Sequence, residues 1–218
     1  MILYLASNSP RRKQLLGLTG WEFQVAPADL DETPLDGEAP REYVLRLAEE
    51  KARAAAQRLV EAGQAPGLVL AADTTVVEDG WRILGKPSSP AEAVEVLRRL
   101  RGRVHEVDTA LVLLRQSDGA LFKDLCSTLV PMREYREDEI QAYVDSGDPL
   151  DKAGSYAIQH AGFHPVEKLQ GCYANVMGLP LCLLSHLLSR AGVEPGSHIP
   201  AACQAGLEYA CPVPEEIQ

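Results

Sequence analysis

A short stretch near the start of the chain joins small polar residues to three consecutive cations: Ser7-Asn8-Ser9-Pro10-Arg11-Arg12-Lys13. Ser9 and Pro10 have the residue types of an N-cap and a first helical position, so a helix is predicted to begin there. Amides at a helix N-terminus favour an anion, whereas cations in the first turn oppose the helix dipole. Either a phosphate binds between the amides and Arg11 and Arg12, or these side chains point into solvent.

Lys51 lies on the apolar side of a predicted helix. Val44 and Leu47 precede it by seven and four residues, a spacing that places the three side chains on one face at about 3.6 residues per turn. A lysine in that position either extends its aliphatic stem past the core to solvent or reaches into a cleft.

Asp73 immediately follows the apolar run Leu68–Ala72, which predicts a strand buried on both faces. The sequence thus predicts that Asp73 lies at the carboxyl end of this strand, where open α/β sheets bind ligands. A carboxylate there could hold Mg²⁺ or Mn²⁺ or accept a proton from an attacking water, or it could be an ordinary turn residue. Asp31 and Glu32 form a second candidate source of carboxylates.

Two further segments offer charged side chains in loops, Gly85-Lys86-Pro87 and 148–154, which includes Lys152; neither is specific by itself. Other phosphate-binding and hydrolase motifs do not occur: there is no G-x-x-x-x-G-K-[ST], G-x-G-x-x-G, G-x-S-x-G or H-E-x-x-H. The histidines show no metal-ligand spacing and are expected on the surface. The cysteines include no C-x-x-C pair, so neither a zinc site nor a disulfide framework is predicted.

The elements that must position these residues alternate between strands and helices, which predicts an α/β fold. Helices are predicted over about 10–17, 41–62, 90–102, 137–145 and 180–191, and strands over about 2–6, 68–77, 105–115 and 120–132. Ser117-Asp118-Gly119 is a hairpin signal between the last two strands. The segment 146–178 shows little periodicity, which is typical of a functional loop region.

Composition limits the classes of protein that this chain can represent. It has 218 residues, 46% of them hydrophobic, and a net charge of −10, so an extended nucleic-acid surface is not expected, although a small basic pocket is allowed. A membrane helix needs about 20 consecutive apolar residues, and no run in this chain approaches that length. The apolar start, 1–6, is too short for the core of a signal peptide. We therefore expect a cytoplasmic protein. One bilobed domain is predicted over 1–192, and 193–218 is expected to be a flexible extension or a dimer contact.

Taken in order, these segments resemble the Maf family of nucleoside triphosphate pyrophosphatases. The matching segments are Ser7–Arg12, Glu50-Lys51-Ala52, Ala72-Asp73-Thr74, Gly85-Lys86-Pro87, Pro149–Gly154, Ile158-Gln159 and Asn175–Pro180. The resemblance implies an elongated mixed β-sheet flanked by helices, with two lobes around a central cleft as in inosine triphosphate pyrophosphatases, and a homodimer. It also implies hydrolysis of a nucleoside triphosphate between the α and β phosphates with a divalent cation, Mg²⁺ or Mn²⁺, as cofactor.

The resemblance further implies roles for individual residues. Asp73 would accept a proton from water, and Glu32 and Asp73 would surround the metal. The substrate-binding residues would be Ser7, Ser9, Arg11, Arg12, Lys51, Thr74, Lys86, Lys152 and Gln159. The family branch that acts on dTTP and UTP has Arg, Thr and Gln at three specificity positions, occupied here by Arg11, Thr74 and Gln159, whereas the branch that acts on 7-methyl-GTP has Trp, Gln and Glu.

Two alternatives remain beside this interpretation. One is a nucleotide-binding regulator of cell division and septum formation with little turnover; the presence of Asp73 argues against it, because a pure binder needs no general base. The other is a pyrophosphatase of broader range that also accepts CTP or modified bases. His160 stands after Gln159 where the family usually has glycine, which is expected to alter the loop around the base.

Overall fold

The fold is built on a mixed β-sheet whose central strand is buried on both faces. A computed structural model describes residues 1–194, 196 and 198–212. The strands are β1 (Leu3–Leu5), β2 (Phe23–Val25), β3 (Leu68–Glu78), β4 (Arg82–Leu84), β5 (Val104–Arg115) and β6 (Leu121–Pro131). Their order is β2-β1-β3-β5-β6, with β4 beside β3. β1 pairs parallel with β2 and β3, and the other pairs are antiparallel.

Helices cover both faces of this sheet, so the predicted α/β class with a mixed sheet flanked by helices is confirmed. They are α1 (Pro10–Gly17), α2 (Pro40–Glu61), α3 (Pro90–Leu100), α4 (Glu137–Asp145), α5 (Tyr173–Val176), α6 (Leu181–Arg190) and α7 (Ile199–Leu207). Short 3₁₀ turns at Asp148–Asp151 and Ala153–Ser155 follow α4. No helix in the described part of the chain is long and apolar enough to cross a membrane.

Three apolar clusters hold the layers together, and their positions create two lobes. The small side chains of α2 pack on one face of β3 and β5, around Ala52 and Ala71. On the opposite face, α1 and α6 cover the start of β3, around Leu70. The helices α3 and α4 cover the far end of the same strands, around Val76 and Val107. A cleft lies between these regions, where β3 passes from one lobe to the other.

The cleft coincides with a gap in the sheet. β5 pairs with β3 over residues 68–77 on one edge. On the other edge β1 pairs with 68–70 and β4 with 76–78, and no described strand pairs with 71–75 between them. Asp73 therefore lies in the middle of β3, and the prediction that it ends its strand is wrong. The strand continues because Thr74–Val77 are β-branched and pair with β5.

The elements that the sequence did not predict are short or late in the chain. β2 and β4 have three residues each, too few to show a period-2 pattern. The helix α7 lies within 193–218, the segment expected to be a flexible extension or a dimer contact, and its Ile199 is fully buried against the cluster around Leu70. Residues 195, 197 and 213–218 of that extension lie outside the described residues.

Candidate functional site

The cleft between the lobes has a volume of about 480 Å³, and its lining includes all the predicted site residues except Asp31, the candidate carboxylate beside Glu32. These lining residues come from the loop after β1, α1, the 26–39 loop, α2, β3 and the loops after β4 and α4. They are Ser7, Ser9, Arg11, Arg12, Glu32, Lys51, Asp73, Thr74, Lys86, Lys152 and Gln159. Five cations, from distant parts of the chain, thus share one space with the predicted carboxylates Glu32 and Asp73 in a protein of net charge −10. Such local focusing of positive charge suits a phosphorylated ligand.

The N-terminus of α1 forms one wall of the cleft. Ser9 is the N-cap, as predicted, and its hydroxyl accepts a hydrogen bond from the Arg12 amide. The guanidinium of Arg12 turns back toward the sheet: Nε donates to the carbonyl of Gly178 (2.9 Å) and Nη2 to the hydroxyl of Thr74 (3.1 Å). Nη1 makes a longer contact with Ser7 Oγ (3.4 Å). Arg12 therefore points into the cleft rather than into solvent, and burial lowers the pKa of its guanidinium.

A buried cation joins two carboxylates on the other side of β3. Lys51 Nζ lies 2.5 Å from Asp73 Oδ1 and 2.6 Å from Glu32 Oε1. Lys51 and Asp73 are only 8% and 6% exposed, so the interpretation that Lys51 reaches into a cleft is confirmed. The small side chains of Ala48, Ala52 and Ala55 let α2 approach the sheet closely enough for this contact.

Burial and charge act in opposite directions on these carboxyl groups. Desolvation raises the pKa of Asp73, and the neighbouring charges of Lys51 and Arg12 reduce this rise without reversing it. Desolvation also raises the pKa of Glu32, but the hydrogen bond and charge of Lys51, with the charges of Lys86 and Arg12, outweigh it and lower that pKa overall. A carboxylate with a raised pKa is the better proton acceptor of the two.

The remaining predicted residues lie around the rim. Lys86 and Gln159 are exposed, and Arg11 is half-buried beside Arg12. Lys152 is buried, and its ammonium donates to the carboxylates of Asp148 and Asp151. Like Lys51, Lys152 is thus already paired with two carboxylates, which would compete with a phosphate for its charge.

Tyr43 is a cleft residue that the sequence analysis missed. Its hydroxyl donates to the backbone carbonyl of Glu32 (2.9 Å) and so holds the 26–39 loop against α2. Desolvation, with the nearby charges of Asp73 and Glu32, raises its pKa to about 12. It precedes Leu47 by four residues in α2, and this helical spacing toward the buried side was the signal that could have identified it.

A buried polar group behind Thr74 was also missed. The Thr74 and Thr109 hydroxyls are 3.0 Å apart, and Thr109 Oγ1 donates to the carbonyl of Asn175 (2.9 Å). The Asn175 amide donates to the carbonyl of Val107 and to the hydroxyl of Thr128, both at 2.9 Å. The sequence analysis identified Asn175–Pro180 only as a segment that matches the family. No motif or spacing around Thr109 indicated that it lies near the site.

The expectation that the histidines lie on the surface is wrong for His105. It is 3% exposed on β5, and its Nε2 lies 2.8 Å from the hydroxyl of Tyr156, which lines the cleft. Burial lowers the pKa of His105 to about 4, so the ring is neutral near pH 7. Strand alternation places it under the loop that follows α4, a position that composition does not reveal.

The donor set of the cleft is compatible with a divalent cation. The described residues include no group of three or more His, Cys, Asp or Glu side chains that could hold a metal by themselves. However, Glu32 and Asp73 each direct an oxygen at one point, where the ammonium of Lys51 bridges them. Mg²⁺ typically binds one or two carboxylates and takes its remaining ligands from substrate phosphates and water, so two carboxylates facing a phosphate-sized cleft fit.

The fold and the site together define a nucleotide-sized cleft with a buried carboxylate among cations, and comparison with known proteins places the chain in a family. A family model described as a Maf-like protein matches residues 2–191. The chain is 44% identical over 193 residues to a dTTP/UTP pyrophosphatase of Dehalococcoides mccartyi, covering 88% of this chain and 84% of that protein. A protein of the same name from Anaeromyxobacter dehalogenans is 47% identical, with 87% of this chain and 94% of that protein covered. Another, from Methylobacillus flagellatus, is 46% identical, with 89% of this chain and 96% of that protein covered. The chain belongs to the Maf family.

Two solved structures show a more distant likeness. One is a nucleoside-triphosphatase (dITP/XTP pyrophosphatase) from Mycobacterium abscessus, with 15% identity, a TM-score of 0.38 and coverage of 61% of this chain and 74% of that one. The other is the Ham1 protein of Staphylococcus aureus, with 19% identity, a TM-score of 0.40 and coverage of 61% and 72%.

Proposed function

We propose that this chain is a nucleoside triphosphate pyrophosphatase that hydrolyses dTTP and UTP to the nucleoside monophosphate and pyrophosphate. The proposal rests on one observation: Asp73, a buried carboxylate of raised pKa, lies beside Lys51 in a cleft whose other wall is a helix N-terminus with Arg12. The names of relatives that are 44–47% identical support the substrate class.

The chemistry follows from charge and position. Arg12, Lys51, Lys86 and the amides of the α1 N-terminus, with Ser7 and Ser9, would neutralise and orient the triphosphate, which is the main requirement of phosphoryl transfer. Water attacks one of the two phosphorus atoms that flank the oxygen between the α and β phosphates, and its proton passes to Asp73. The bond from that phosphorus to the bridging oxygen breaks, which releases the nucleoside monophosphate and pyrophosphate. The charge of Lys51 favours the ionised form of Asp73 before attack and can then stabilise the charge on the departing phosphate group.

Glu32 and Asp73 are the residues that would hold Mg²⁺ or Mn²⁺ in this proposal. The cation supplies charge neutralisation at the phosphates when bound. Tyr43 fixes the carbonyl of Glu32 and therefore the loop that presents its carboxylate.

Substrate choice is assigned by the proposal to Arg11, Thr74 and Gln159, which line the same cleft. Residues 1–192 would form the catalytic unit of a cytoplasmic homodimer, with 193–218 as an extension. These statements rest on the resemblance of the motifs and on the similarity to dTTP/UTP pyrophosphatases.

The test is pyrophosphate release by the purified protein with Mg²⁺ or Mn²⁺ against dTTP, UTP, CTP, purine and modified nucleoside triphosphates. Turnover led by dTTP and UTP, and absent in Asp73→Asn, is the expected result. Turnover led by CTP or a modified base would keep the reaction and overturn the assignment of Arg11, Thr74 and Gln159. Nucleotide binding without Asp73-dependent turnover would favour the alternative of a regulator.

A further inference from the structure

The hydroxyl of Thr109 belongs to a chain of hydrogen bonds whose direction can be deduced. The carbonyl of Asn175 can only accept, so the single proton of Thr109 Oγ1 is donated to it. Of the two hydroxyls 3.0 Å apart, Thr74 must then be the donor and Thr109 the acceptor. The oxygen of Thr74 is left with lone pairs only, and it accepts from Nη2 of Arg12 at 3.1 Å. The chain therefore runs in one direction from the guanidinium of Arg12 to the carbonyl of Asn175.

The far end of this chain is rigid. Asn175 is fully buried, and its side-chain amide donates to β5 at Val107 and to β6 at Thr128. Three residues later, the carbonyl of Gly178 accepts from Nε of the same Arg12. A Cβ added at Gly178, where φ is +102°, would lie 3.0 Å from Thr74 Oγ1 and 3.4 Å from Arg12 Nε, so this turn fits closely around the two side chains.

We infer that Thr109 is a positioning residue for nucleotide binding, which acts through Thr74 on the guanidinium of Arg12. This inference rests on the proposed function, because it treats Arg12 as a phosphate contact. Thr109 is fully buried and is absent from the lining of the cleft, so it cannot touch the nucleotide. Its hydroxyl fixes the proton of Thr74 and so keeps an acceptor aimed at Arg12, and hydrogen bonds that polarise one another in this way are strengthened at low dielectric.

The test is the affinity for a UTP analogue that has a methylene group between the α and β phosphorus atoms, measured by calorimetry. Thr109→Val keeps the shape and removes the hydroxyl, and we expect the Kd to rise about tenfold. Thr109→Ser keeps the hydroxyl and is expected to remain within about twofold of wild type. Thr109→Ala is the second variant if valine prevents folding. Thr19→Val is the matched control: it removes another buried hydroxyl, bonded to the carbonyl of Leu16 and outside the cleft lining, and should leave the Kd unchanged.

A double-mutant cycle separates positioning from general destabilisation. In an Arg12→Lys background, Thr109→Val should change the Kd little further, because the side chain that it positions has been replaced. An equal loss in both backgrounds, or wild-type affinity in Thr109→Val, would overturn the inference.

Hydrogen exchange of the Arg12 Nε–H, followed by NMR in the nucleotide-free protein, provides a readout that does not depend on the activity. Exchange should be faster in Thr109→Val than in wild type or Thr109→Ser. If wild type releases no pyrophosphate, the proposed function fails while this measurement still decides whether Thr109 positions Arg12; unchanged exchange would count against it.

Discussion

The two faces of β3 at the cleft carry different chemical groups, although the residues that define them, Asp73 and Thr74, are adjacent in the chain. Asp73 projects toward α2 into a cluster of two carboxylates and the ammonium of Lys51, whereas Thr74 projects to the opposite face, where its hydroxyl bonds to the guanidinium of Arg12 and to the hydroxyl of Thr109. Side chains alternate between the faces of a strand, so the five-residue gap in pairing opens both Asp73 and Thr74 to one cleft, from opposite faces of β3. The charged face, that of Asp73, has carboxyl groups whose protonation can change during a reaction, whereas on the Thr74 face the hydroxyls and the permanently charged Arg12 hold a geometry.

The comparison predicts that changes on the charged face affect the rate most. Asp73→Asn keeps the shape but removes the proton acceptor, so turnover should fall by about 10²- to 10⁴-fold. Binding of the methylene UTP analogue should be largely retained. Rates of pyrophosphate release at saturating nucleotide measure the first quantity and calorimetry the second. A rate near that of wild type would remove Asp73 from the mechanism.

Lys51→Met should lower the rate in a way that depends on pH. Without the ammonium, the buried carboxyl of Asp73 loses the charge that opposes its desolvation, so its pKa rises further and less of it is ionised at neutral pH. The acid limb of the kcat/KM profile should move to higher pH, with partial recovery in alkaline buffer that Asp73→Asn does not show.

Arg53→Met is the matched control for this variant. Arg53 lies on the same helix in an exposed ion pair with Glu49, and its replacement should leave the profile unchanged. An unshifted profile in Lys51→Met would mean that Lys51 does not set the protonation of Asp73.

On the Thr74 face, Gly178→Ala should weaken nucleotide binding and stability while leaving the pH profile in place. The methyl group would crowd Thr74 and Arg12 at a positive φ, at a cost of about 1–3 kcal/mol in the free energy of unfolding. Gly192→Ala is the control that measures only the cost of placing alanine at a positive φ. Gly192 also has a positive φ, but no atom lies within 4 Å of an added Cβ. Equal nucleotide affinities of the two variants would show that the fit around Arg12 is unimportant.

The smallest effects should appear in the pH dependence of stability, and they should differ in sign within the charged face. The pKa of Asp73 is raised from 3.8 by burial, so wild type should lose stability relative to Asp73→Asn as pH rises through that raised value. The pKa of Glu32 is lowered from 4.5 overall, so wild type should gain stability relative to Glu32→Gln as pH rises through the range below 4.5. Urea unfolding from about pH 3 to pH 8, followed by tryptophan fluorescence, measures both slopes; slopes of the same sign would contradict this assignment.

The sequence predicted most of the fold because its long elements have clear periodicity and end signals. The helix α4 was predicted with its observed ends, and Ser9 caps α1 as its residue type indicated. The predictions were wrong or incomplete where the local sequence pattern is too short to identify an element, or where pairing with a distant strand outweighs it. Three-residue strands have no period, and the polar residues Asp73 to Thr75 interrupt an apolar run that pairing with β5 nevertheless extends.

Residue types and spacing by themselves identified Ser7–Lys13 and Asp73 as candidates for binding phosphate and accepting a proton, and placed Lys51 on the apolar side of its helix. The resemblance to a family added the roles of the individual residues. Only the tertiary structure decided that β1 and β4 leave β3 unpaired over 71–75, that Arg12 turns inward onto Gly178 and Thr74, and that Thr109 and Asn175 stand behind it. Local propensity acts over a few residues along the chain, whereas these contacts join residues up to 166 positions apart, and their geometry exists only when the sheet and its covering helices have assembled.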